Sequence, residues 1–179
     1  MKKVSTIILL VSCILVSCSN TPDEYFDIAS LNCNLLFGFA GKGMEYELAN
    51  PSVKLVDEKT LATAPMSRAE MMDAKLETVE TNFEKLKGLS MNEEAKEMIN
   101  ASIALYEFVL PVYKNEYKQL AALYDNNSGV EQIASMEKSI SEKYGEMFNK
   151  LYDTVLTTGL AYAEKHGIKV QTVSPAPSL

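Results

Sequence analysis

One histidine, no tryptophan and three cysteines in 179 residues remove whole classes of chemistry. A single imidazole cannot build a histidine metal cluster or the Glu-x-x-His pairs of di-iron bundles. A Ser-His-Asp triad would have to use His166, and no nucleophile elbow accompanies it. His166 instead follows Lys165 at the expected end of a helix, where a cation meets the negative end of the dipole. Basic residues are also short in number: 17 Lys and Arg against 24 Asp and Glu, a net charge of −7. That balance speaks against nucleic acid and anionic lipid headgroups as partners, since both call for basic patches. Gly38, Gly41 and Gly43 follow no strand and precede no correctly placed Lys-Ser/Thr, so they are no phosphate loop. No alternating apolar run is long enough to found a sheet. Glu77, Glu80 and Glu84 lie near Lys85 and Lys87 and read as the solvated face of a helix. Nothing here implies a cofactor or a metal, and no residue set supports an enzyme.

What is present begins at the N-terminus. Lys2 and Lys3 precede an apolar-rich run from Val4 to Val16, thirteen residues long. That is the build of an export signal, and it is short of the ~20 residues a membrane-spanning helix needs. Leu15-Val16-Ser17-Cys18 closes the run and resembles the lipobox of bacterial lipoproteins. The resemblance covers the first 20 residues alone and implies cleavage before Cys18 and acylation of that residue. Leu10-Val11-Ser12-Cys13 fits the same pattern but would leave an apolar run of only about nine residues. Cleavage at Cys18 leaves 162 residues with 15 basic and 24 acidic side chains, a net charge of −9. Several acyl chains hold a protein stably, at ~0.8 kcal/mol for each buried methylene. Ser19 after the cysteine, where Asp would imply inner-membrane retention, points to the outer membrane. Asp23-Glu24 faintly resembles the acidic stretches that direct some lipoproteins to the surface. Cys33 is then the lone remaining thiol, expected as a small buried residue.

The rest reads as helix. Thr21-Pro22-Asp23-Glu24, Ser67-Arg68-Ala69-Glu70, Ser90-Met91-Asn92-Glu93 and Ser128-Gly129-Val130-Glu131 each place Ser or Thr three residues before Glu, the capping-box spacing. These starts, with Gly88, Asp125-Asn126-Asn127 and Gly167 as stops, predict helix A over 22–48, B over 68–87, C over 91–125 and D over 129–166. Apolar residues recur at spacings of 3 and 4, as in Met72, Leu76, Val79, Phe83 and Leu86 of B. Helix D carries a similar row through Met136, Ile140, Tyr144, Met147, Leu151 and Val155. The expected fold is all-α: an antiparallel up-down bundle of about four helices, with a kink in helix C at Pro111. The expected layout is a signal peptide over 1–17, a lipidated tether over 18–21, the bundle over 22–169 and a disordered tail over 170–179. The A–B link, 49–66, is long for a bundle and could hide a short helix or a strand-like Val53–Val56.

Helix C places Tyr106, Tyr113, Tyr117 and Tyr124 along one seam, and Tyr144 faces them from D. One reading makes the rings core, with hydroxyls reaching water or a carbonyl. The other notes that helix B is too short to cover the seam beyond Pro111, leaving a tyrosine-lined groove for a small apolar or aromatic ligand. The function expected is a lipid-anchored, non-catalytic interaction or scaffold module at the cell envelope. The alternative is a carrier using that groove. The partners expected are the membrane, through the anchor, and a protein or small apolar ligand.

Overall fold

The computed structural model describes residues 20–171. Cys13, Cys18, the signal sequence and residues 172–179 of the expected tail lie outside the described residues.

The chain opens with α1, Pro22–Ala29. Its capping box is formed as the sequence predicts: the Glu24 N–H donates to Thr21 Oγ1 at 3.2 Å and the Thr21 N–H to Glu24 Oε2 at 2.7 Å. The expected long helix A does not continue. A 3₁₀ segment, Leu31–Leu36, follows, then a turn, then α2, Lys42–Ala49. The glycines explain the turn before α2, while α1 itself already ends at Ser30, φ −123° and ψ −59°. Gly38 has φ +82°, and a Cβ there would lie 2.8 Å from the Cα of Gly43, so two backbones touch where side chains cannot fit. Ala40 also sits at positive φ, 51°.

The A–B link is a β-hairpin. Strand β1, Val53–Asp57, pairs antiparallel with β2, Ala62–Pro65, with a bulge between Leu55 and Asp57. Asp57 Oδ1 accepts the N–H groups of Lys59 at 2.8 Å and Thr60 at 3.2 Å, which shapes the turn. The strand-like reading of Val53–Val56 is therefore the one the structure adopts.

Helix α3, Arg68–Lys87, matches the expected helix B and carries the formed Ser67–Glu70 box. The third expected box does not form. Asn92 Oδ1 accepts the Ala95 N–H at 2.8 Å instead, in a turn over residues 93–95, and α4 begins only at Lys96. Helix α4, Lys96–Val112, runs through a π-helical turn, Tyr113–Tyr117, into α5, Lys118–Asp125, as one continuous rod. Pro111 lacks the N–H that would bond Glu107, and the departure from α geometry falls two residues later. Asn115 Nδ2 donates to the Pro111 carbonyl at 2.8 Å across that turn. Helix α6, Val130–His166, starts without a side-chain cap, so the fourth box is also absent, and it ends at left-handed Gly167, φ 69°.

The four-helix, all-α expectation is thus corrected. Counting the rod once, the described residues form five helices and a two-stranded sheet. Helix A is interrupted twice, at Ser30 where α1 gives way to the 3₁₀ segment and again at the glycine turn before α2, and a two-stranded ribbon needs no long alternating run.

The rod lies at the centre. It packs against α3 and α6, and α1 touches all three. The N-terminal segment runs along α6: a Cβ on Gly159 would lie 2.3 Å from Ser30 Oγ, and one on Gly145 would meet the Ala40 carbonyl. The expected seam of α6 holds at Ile140 and Val155, which are buried, and differs at one position: Phe148 is buried toward Phe39 while Met147 is exposed. The two poles differ. At one, the Tyr25 hydroxyl donates to the Ser90 carbonyl and Lys165 pairs with Glu94. At the other lie the hairpin, the start of α3 and the end of α5, joined through Arg68 and Asp125. The thirty-residue rod from Lys96 to Asp125 separates them by about 45 Å.

Candidate functional site

The tyrosine seam is filled. Tyr106, Tyr113 and Tyr117 are buried. Tyr106 stacks on Phe83 at 5.6 Å, and its hydroxyl donates to the Asn32 carbonyl at 3.3 Å. Tyr113 points its hydroxyl at Met44 Sδ, 3.9 Å away in α2. Tyr117 accepts the Ala40 N–H at 2.9 Å. Phe39 sets its ring edge-on to Tyr113 at 5.2 Å and to Tyr117 at 5.6 Å. The broken N-terminal segment supplies the cover that helix B cannot: the Asn32 carbonyl, the Phe39 ring, the Ala40 N–H and the Met44 side chain all meet the seam. Burial raises the hydroxyl pKa of all three tyrosines, most directly by removing water from the phenolate form.

Tyr124 and Tyr144 stay half-buried and are brought to carboxylates, away from the buried three. The Tyr124 hydroxyl donates to Glu137 at 2.6 Å, and burial together with that bond pushes its pKa to about 12. The Tyr144 hydroxyl donates to Glu116 of the π turn, with Lys143 3.5 Å from the same carboxylate. Between Ala40, Tyr117, Leu120 and Glu137 a cavity of about 10 Å³ remains. That is room for roughly one water. Cys33 is buried as expected, its thiol pushed up to about 11 by burial. Glu80 pairs with Lys114 of the rod at 2.6 Å, while Glu84 pairs with Lys87 of its own helix at 2.7 Å, so one carboxylate of that run links two helices.

The hairpin pole is the region the sequence did not single out as a site. All five residues of β1 are exposed. Val53 is 61% exposed, Leu55 52%, Val56 55% and Leu61 72%. Tyr46 of α2 and Val130 at the start of α6 add two more exposed apolar side chains. Lys54 pairs with Glu70, which fastens the ribbon to the start of α3. Leu61 stands in left-handed backbone at φ 55°, a conformation that disfavours a branched side chain. The one signal available in sequence was the Val-Lys-Leu-Val run in a link too long to be a simple turn.

Among the described residues, no group of three or more His, Cys, Asp or Glu is placed to hold a metal ion, and no helix is long and apolar enough to cross a membrane. Comparison with protein families, curated proteins and solved structures finds no match for this chain.

Proposed function

We propose that the chain is an exported, lipid-anchored, non-catalytic protein that serves as an interaction or scaffold module at the cell envelope. The single observation that carries the interaction half is the hairpin: apolar residues held in solvent on a ribbon that packs no core. The anchor half rests on Leu15-Val16-Ser17-Cys18 and on the basic and apolar stretches before it. The two halves fit one geometry. Cys18 is four residues before Pro22, so an acyl group there keeps the α1 pole within about 14 Å of the lipid. The hairpin then stands at the pole facing away. Outer-membrane attachment follows from Ser19 on the same reading.

A carrier finds less support, because Phe39 and Met44 occupy the space beside the tyrosines. Native mass spectrometry of the full chain, extracted in mild detergent from its own host's envelope, tests these readings. The expected species carries acyl mass on Cys18, lost in Cys18→Ala, and no small-molecule adduct. A reproducible adduct that leaves on denaturation would favour the carrier, and an unacylated Cys18 would overturn the anchor.

A further inference from the structure

A free-standing two-stranded hairpin is marginal in water at best. This one exposes every residue of β1 and makes its extensive contacts only between its own strands. Folding therefore does not explain its apolar sequence, and the ladder shows what is missing from it. The Met66 N–H donates to the Ser52 carbonyl at 2.8 Å, which makes 52 and 66 a hydrogen-bonded pair. Such pairs alternate along an antiparallel ladder. Lys54 and Ala64 are then the next bonded pair, while Val53–Pro65 and Leu55–Thr63 turn their backbone groups away from each other. On β2 the outward edge falls on Thr63 and Pro65, and Pro65 has no N–H to offer, so that edge is blunted. On β1 it falls on Val53 and Leu55, which present both N–H and C=O to solvent.

We propose that the outer edge of β1 is a docking site for an extended segment of a separate protein, which adds as a third strand against Val53 and Leu55. This rests on the interaction-module reading and names its partner's chemistry: an extended chain with apolar residues at alternate positions, set beside Val53 and Leu55 on one face. Residues 172–179 do not fit. Helix α6 ends at the opposite pole, with His166 Nε2 3.5 Å from Glu94. Residues 172–179 reach at most about 28 Å, against the ~45 Å between poles. A second copy fits poorly. Two β1 edges paired about a two-fold axis at Leu55 set Lys54 opposite Val56 and Val53 opposite Asp57, a charge against an apolar residue at each pair.

The test pans the full chain in detergent against a random peptide library displayed on phage, then measures selected peptides on three variants. Leu55→Pro removes an outward N–H from the β1 edge. Thr63→Pro removes one from the β2 edge and perturbs the ribbon comparably. Cys18→Ala removes the acylation site, so a failed anchor and a failed edge read separately. The expected result is enrichment of alternating apolar peptides that bind Thr63→Pro and Cys18→Ala normally and Leu55→Pro about tenfold more weakly. Hydrogen exchange should show the Val53 and Leu55 amides newly protected when peptide is bound. Equal binding to Leu55→Pro, equal loss with both proline variants, no enrichment, or a self-associated dimer dispersed by Leu55→Pro would each overturn the proposal.

Discussion

The Asp125 carboxylate, in the last turn of α5, accepts the backbone N–H of Arg68 at 2.9 Å and that of Ala69 at 3.0 Å. The rod's far end thus caps the first turn of α3, across 57 positions of sequence. A carboxylate at its own helix's C-terminus opposes the dipole, and at the N-terminus of a neighbour it is favoured. Arg68 completes the joint by donating from Nε to the Leu48 carbonyl at 3.2 Å. Asp125→Ala should lower stability by about 1–2 kcal/mol, the range of a lost N-cap. Asp125→Asn keeps one acceptor and should lose less. Thermal melts of the two variants measure the difference.

Gly159 is where α6 lets α1 come close. A Cβ there would lie 2.3 Å from Ser30 Oγ and 3.0 Å from Ser30 Cβ. The hydroxyl can rotate away, but the Cβ cannot. Gly159→Ala should destabilise by about 1–3 kcal/mol through overpacking. Ser30→Gly in the same chain should restore part of that, and a double-mutant cycle by denaturant titration reads the coupling.

How far the sequence carried the fold depends on the residues concerned. Helix B was legible to its ends because Ser67 and Glu70 are local and Gly88 stops it. Ser90–Glu93 and Ser128–Glu131 have the same spacing, yet Asn92 and Gly129 take over as the local organisers there. The kink expected at Pro111 gives way to a π turn at Tyr113–Tyr117, where Tyr113 and Tyr117 pack against Phe39. That contact joins residues more than seventy apart, beyond any periodicity. The tyrosine seam was legible and its cover was not, because a segment interrupted at Ser30 and again at Gly38 and Gly43 folds back in a way that helix lengths do not reveal.

Phe39 is the plug of that seam. Its ring meets Tyr113, Tyr117, Phe108 and Phe148 within 6.3 Å. Phe39→Ala should lower stability by about 3–5 kcal/mol. It should also create an apolar cavity beside the tyrosines. An apolar fluorescent dye should bind the variant in its folded state and not the parent, which separates a plugged seam from a solid core.

Alkaline titration should show the buried tyrosines directly. In the fold Tyr106, Tyr113 and Tyr117 hold their protons beyond the ordinary value of 10.0, because burial disfavours the phenolate. In the unfolded chain they give them up near 10. The folded pKa values are raised, so this contribution to stability is complete below pH 10 and declines as pH climbs above it. Ultraviolet absorbance of tyrosinate should rise in two stages, the exposed rings first and the buried ones together with loss of helical circular dichroism. A single smooth titration with the helices intact would contradict this packing.

Leu61 separates folding from function at the hairpin. Its φ of 55° places a branched side chain in left-handed backbone. Its exposure of 72% leaves almost no packing to offset that strain. Left-handed backbone disfavours an L-residue by roughly 1–2 kcal/mol, and glycine is free of that penalty though it adds disorder to the unfolded chain. Leu61→Gly should therefore leave stability unchanged or raise it by up to about 1 kcal/mol, unlike removal of a leucine from a core, which lowers it by ~2–5 kcal/mol. If the side chain is kept for contact with a partner, the same substitution should weaken strand addition at β1 while the melt stays level or rises. A melt that falls by core-like amounts would mean that Leu61 packs in solution, and the hairpin would then be part of the fold's own core.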